Sequence, residues 1–295
     1  MKLISPTLLT DSLLTSSTVT ETDYAAWAGG ATYALGAYVI LTNTHRIYKS
    51  LQAANTGNNP TAAASTWWLD VGPTNRWAMF DAIVSTQTVA GTSLTVTVTP
   101  GVINSLALIN MQAEALTVTM TSGGDTVYSK SLDLVDDLRA ADWYGYFFGP
   151  FRTKTDVVLL DLPSYANGVL TITLTHATAV KVGNMVVGSL SGLGDAQYGA
   201  RAGIVDYSRK ETDGFGNTVL TKRSFSKRMT VSLLFPTSDL DRVHQTLSAV
   251  RSTPTVWVAS ENHTSLIIFG FFKDFEVDLA TFSYSYCSLQ IEGLI

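Results

Sequence analysis

The feature that most constrains this chain is a series of short runs in which large apolar residues alternate with threonine and serine. TSLTVTVTP (92–100) sets Leu94, Val96 and Val98 against threonines, the period-two signature of a strand buried on one face. LTVTMTSGGDTVYSKSL (116–132) reads as a strand, a Ser-Gly-Gly-Asp turn and a returning strand, hence a hairpin. VVLLDL (157–162) and GVLTITLTH (168–176) continue the series. Strands at this spacing, with turn signals between them, predict a β-sandwich or jelly roll over residues 82–190.

Residues 24–81 form a compositional island. They hold four of the six tryptophans, Trp27, Trp67, Trp68 and Trp77, together with Tyr33, Tyr38 and Tyr48. Two short strands are expected at about 37–41 and 45–52, around the turn Thr42-Asn43-Thr44, and NTGNNPT (55–61) is loop chemistry. A unit this small without a disulfide buries little apolar surface, so large aromatics are needed to make any core. STWWLDVGPTNRWAMFD (65–81) concentrates three tryptophans among turn residues. Trp67 is the candidate exposed stacking ring, Trp68 a core or ligand-face residue, and Trp77 a seal between this unit and the next.

Residues 1–23 are Ser/Thr/Leu-rich with weak patterning and read as an arm, ordered only when docked on a neighbour. Beyond 190, SGLGDAQYGARAG (191–203) reads as a linker or ordered loop, and residues 204–235 as two long strands around a turn at 213–217. A helix is expected over 237–252: Ser238 and Asp241 have capping-box spacing, Leu240, Val243, Leu247 and Val250 share a face, and Pro254 ends it. The whole reads as mainly β and multidomain: an arm (1–23), a small aromatic-rich module (24–81), a sandwich (82–190), and a C-terminal β-barrel-like domain with one α-helix (191–295).

Only 15% of the 295 residues are charged, against about 25% in an average soluble protein. Such poverty in charge predicts surface hidden in an oligomer. The net charge of −5 argues against nucleic acid as the main partner, since phosphate backbones are held by clustered Lys and Arg. The local basic run Lys222, Arg223, Lys227 and Arg228 alternates with Ser and Phe and reads as a strand with a solvated or interfacial face. Cys287 is the sole cysteine, which rules out an internal disulfide and a thiolate metal site within one chain. No run approaches the roughly 20 apolar residues of a membrane span, and the first residues lack the apolar core of a signal peptide. Synthesis in a cytoplasm without self-export is therefore expected.

No catalytic signature is found, and no cofactor or metal is expected. The chain has no phosphate-cradling loop, SGLGDAQYG (191–199) lacks a following helix, and GSLSG (188–192) places Leu190 where a nucleophile would stand. The four histidines show no ligand spacing. Asp133, Asp136, Asp137 and Asp142 supply the carboxylates a glycoside hydrolase would need, and are otherwise read as caps and a solvated face.

Residues 24–81 resemble the small chitin- and cellulose-binding modules of carbohydrate-binding families five and twelve. The shared pattern runs through Ala26-Trp27, Tyr33-Ala34-Leu35-Gly36, Val39, Tyr48, Gly57-Asn58-Asn59-Pro60 and Trp68-Leu69-Asp70-Val71. This resemblance implies a carbohydrate site built from Trp67, Trp68, Tyr48 and Trp27. One departure is plain: members usually carry exposed aromatics just after the second strand's Tyr, where this chain has Leu51-Gln52-Ala53-Ala54. The module, its tail Gly72-Pro73-Thr74-Asn75-Arg76-Trp77 and the β domains that follow resemble bacteriophage tail and baseplate proteins. Met229–Phe235, the 237–252 helix, Thr255-Val256-Trp257 and Cys287–Leu294 resemble the ring-forming domains of tail-tip and distal tail proteins. These resemblances imply a structural virion protein in a cyclic homo-oligomer. Its partners would be the tail tube, hub and fibres, with host cell-surface polysaccharide as a further ligand. The alternatives are a carbohydrate-binding adsorption protein of the tail and a glycoside hydrolase.

Overall fold

The computed structural model describes residues 1–63, 65–135, 143–144, 153–212 and 214–294. The protein is mainly β, with 51% of it in strands and 8% helical. Two sheets carry the body. The smaller has five antiparallel strands in the order Asp125–Asp133, Ala115–Ser122, Val169–Thr175, Ser93–Val98, Leu14–Ser17. The larger has eleven strands and curls into half a barrel. Its path runs Val157–Leu159, Ser105–Gln112, Val180–Gly192, Lys2–Pro6, Thr255–Val258, Ile267–Asp278, Tyr284–Gly293, Phe225–Pro236, Asp195–Ala196.

The alternating runs behave as their sequence requires. Leu94, Val96 and Val98 lie inward and pack with Leu116, Val118 and Met120 and with Leu170, Ile172 and Leu174. Their threonines form outward ladders, with Thr95 to Thr173 at 3.1 Å between hydroxyls. The opposing layer is the near half of the large sheet, through Leu106, Leu108, Val182 and Val187. The hairpin turns at Gly123 and Gly124, both left-handed, with φ of 63° and 98°.

Two segments differ from their sequence reading. Residues 2–6, expected as an arm, are a central strand of the large sheet, antiparallel to Val180–Gly192 on one side and Thr255–Val258 on the other. The strand is bifacial: Leu3 enters the helix-backed core and Ile4 the separate cluster on the opposite face. Residues 191–203 are strand rather than linker over much of their length, because Asp195–Ala196 and Arg201–Asp206 both pair with Phe225–Pro236. The 13-residue Val180–Gly192 strand runs through the expected boundary at 190, so one sheet serves both halves of the body.

The helix covers Leu240–Ala249, preceded by a 3-10 turn at Thr237–Asp239. Val243 and Leu247 are buried against Met229, Val231, Leu233 and Phe235 and against Cys287, Leu289 and Ile291. The expected capping box is absent. The N-cap is Asp239, which makes no side-chain cap bond. Its carboxylate instead accepts from Arg242 Nη2 at 2.8 Å, and the 3-10 turn displaces Ser238 from the capping position.

Candidate functional site: the aromatic module and its joint

The module is a three-stranded antiparallel sheet, Tyr38–Leu41, Arg46–Ser50 and Trp68–Pro73, with a small two-stranded ladder, Thr32–Tyr33 with Asn55–Thr56. The turn between the first two strands closes at His45, whose φ is 55°. Strand alternation gives this sheet two faces.

One face is the module's core, and it absorbs the residues expected at a sugar platform. Val39, Tyr48 and Trp68 are buried, with Trp27, Tyr33, Leu41 and Trp67 packed against them. Tyr48 and Trp68 retain only 6% and 4% of their surface. Trp68 meets the Tyr33 ring edge-on at 5.2 Å, and its Nε1 donates to Asn58 O at 2.8 Å. Asn55 is buried beneath them and donates from Nδ2 to Ser50 Oγ at 3.0 Å. Of the four expected residues, Trp27 and Trp67 keep partial exposure. The structure therefore brings Trp27, Tyr48, Trp67 and Trp68 together, and it does so around a shared interior rather than on an open platform.

The other face carries an aromatic pair that the sequence reading passed over. Tyr24 and Tyr38 stack at 5.0 Å with 18° between their planes. Both are exposed, at 43% and 36%. Tyr38 lies opposite Lys49, and Lys49 opposite Leu69, so the three form one cross-strand row. Lys49 Nζ sits 5.5 Å from the Tyr38 ring centroid. The signal in the sequence was the alternation itself, since Tyr38 precedes Val39 and must face away from it. Tyr24 had no such marker, because it lies outside any strand.

The joint to the body is built on His45. Trp77, 8% exposed, stacks on the His45 ring at 4.0 Å and meets Phe80 edge-on. His45 Nε2 lies 2.9 Å from Asp11 Oδ2, and Nδ1 lies 3.1 Å from Glu21 Oε1. Glu21 also accepts from Thr74 Oγ1 at 3.0 Å, and Asn75 bridges to Val89 through both its amide oxygen and its amide nitrogen. Trp77 also belongs to the sandwich core, packed with residues such as Leu94 and Leu106. It occupies the sealing position expected of it.

A cavity of about 360 Å³ opens where the two halves of the body meet, lined by Val84, Ile109, Phe269 and Leu294. At one end the buried Asp156 pairs with Lys227 and accepts the Asn110 backbone N–H at 2.9 Å. One member of the basic run thus joins the two halves through an ion pair whose carboxylate is buried and whose lysine is partly exposed. Of the acidic cluster, Asp133 caps the Val135 N–H at 2.9 Å; Asp136, Asp137 and Asp142 lie outside the described residues. Among the described residues no group of His, Cys, Asp and Glu is placed to hold a metal ion, and no helix is long and apolar enough to cross a membrane.

No family model matches the chain, and no curated protein matches it.

Proposed function

We propose that the chain is a structural subunit of a bacteriophage tail tip or baseplate, assembling as a cyclic homo-oligomer through its C-terminal half. The observation that supports this reading is the surface that half leaves uncovered. Among the described residues Arg209–Thr212 and Thr218–Thr221 pair only with each other, and all eight strand residues are exposed. A two-stranded ribbon is marginal by itself in water. Elsewhere in the same C-terminal part, Tyr198, Ile204, Phe225, Leu279 and Phe282 also stand in solvent. Apolar exposure on this scale is characteristic of an interaction surface. Light scattering and negative-stain microscopy of the purified protein test the reading. Rings are the expected result, and a monomer at every concentration would sink it.

A second reading, adsorption to host-surface polysaccharide, is compatible with the first. It is favoured by the exposed Tyr24–Tyr38 pair, because a pyranose ring presents C–H groups that pack on an aromatic surface. Retention on immobilised host-envelope polysaccharide, reduced by Tyr24→Ala, is the expected outcome. Equal retention of wild type and variant would argue against it.

A further inference from the structure

The outer face of the module has a specific electrostatic character. The middle strand carries two cations, Lys49 on this face beside Tyr38 and Arg46 on the opposite face with Tyr48. Arg46 Nε is engaged by Asp70 Oδ2 at 2.6 Å, so its charge is met. Lys49 pairs with no carboxylate among the described residues, and its ammonium is placed over Tyr38. The row Tyr38–Lys49–Leu69 thus sets one unpaired positive charge between an aromatic stack and an exposed apolar side chain.

We propose that this face binds an anionic polysaccharide, with a sugar ring packed on the Tyr24–Tyr38 pair and its acidic group at Lys49 Nζ. The inference rests on the adsorption reading and adds the ligand's charge and its place. That place is opposite the core face holding Tyr48 and Trp68. Aromatic rings alone accept neutral sugars. A flexible ammonium beside them adds a point charge suited to carboxylate or phosphate. Two rings and one lysine form a small target compared with the roughly 800 Å² per side of a stable protein interface. The shared chemistry is a sugar bearing a fixed negative charge, whether a uronate carboxylate or a glycosyl phosphate.

The test uses the full chain and three probes: polygalacturonate, a glycerol-phosphate teichoic acid and neutral dextran, titrated at low and high salt. Binding to one or both anionic polymers is expected, weakening as salt rises. Polygalacturonate alone identifies the carboxylate source, teichoic acid alone the phosphate. Tyr24→Ala and Tyr38→Ala are each expected to lower the affinity about 10-fold, the scale of one lost stacking contact. Lys49→Gln keeps the side-chain stem and is expected to remove the salt dependence and the preference over dextran. Circular dichroism confirms that each variant is folded. Dextran bound as tightly as the anionic polymers, with no effect of Lys49→Gln, overturns the inference while leaving adsorption standing. Anionic binding that survives both tyrosine variants overturns it as well. Failure to bind any of the three, or the host-envelope polysaccharide, overturns adsorption too.

Discussion

Trp68 and Tyr24 sit on opposite faces of the same small sheet, and their expected responses to truncation differ accordingly. Trp68 is buried and its indole N–H is hydrogen-bonded, so Trp68→Ala leaves a cavity and an unmet carbonyl in a module with little else to hold it. A cost of about 3–5 kcal/mol is expected, read as loss of the module's near-UV dichroism and a lower melting temperature. Tyr24→Ala, on the surface, is expected to stay within about 0.5 kcal/mol of wild type. Cys287 is fully buried beneath the helix, and burial pushes its thiol up to about 11. It should resist iodoacetamide at mildly alkaline pH in the native protein and react once the protein is unfolded. Fast native labelling would contradict that placement. Burial acts on Asp161 in the upward direction, but Lys130 and Tyr128 together hold its carboxyl below the ordinary range. A carboxylate so depressed stabilises the fold above the usual titration range, near pH 4, and that contribution is lost as pH falls through the folded value. The melting-temperature gap between wild type and Asp161→Asn should therefore be small at neutral pH and close on acidification. Its widening in acid would reverse the sign.

At the scale of elements, alternation was the readable signal. The sandwich strands and the hairpin follow directly from which residues are apolar, because a half-buried strand offers only one register that hides them. The helix was equally legible through Val243 and Leu247, yet its start was not, because Arg242 draws the Asp239 carboxylate away from the backbone. The central strands depend on close approach as well as alternation. A Cβ at Gly188 would strike the Ser5 carbonyl of the neighbouring strand, and one at Gly270 would strike that of Glu292. Gly188→Ala and Gly270→Ala are each expected to cost more than about 2 kcal/mol through forced separation of paired strands. Chemical denaturation measures this, and a midpoint unchanged in both variants would show that the strands can separate without penalty. Neither glycine announces itself in the sequence, since its neighbour lies far away along the chain.

The large sheet joins what composition divides at the scale of the whole molecule. Lys2–Pro6 is paired on both sides and places Leu3 and Ile4 in two different cores. Deleting residues 2–6 would expose two interior strand edges and open both cores, so loss of cooperative unfolding is expected, checked by a thermal melt. A deletion variant with a sharp, near-native melt would mean the two halves are held by other contacts, such as the Asp156–Lys227 pair. Apart from that sheet, the ribbon of Arg209–Thr212 and Thr218–Thr221 is exposed at every strand residue, which is where the proposed assembly would form.

The sequence by itself determined the mainly β class, the sandwich strands, the helix and the aromatic character of the small module. Those properties follow from local periodicity and from the shortage of apolar area in a short segment. The tertiary structure alone decided that the first residues form a central strand and that His45 and Trp77 seal the joint. It also decided that Tyr24 and Tyr38, rather than Tyr48 and Trp68, stand in solvent. Pairing across long separations and the choice of which face is covered depend on neighbours that no local pattern specifies. An aromatic residue is equally suited to a core and to a binding surface, and only the packing around it settles which it becomes.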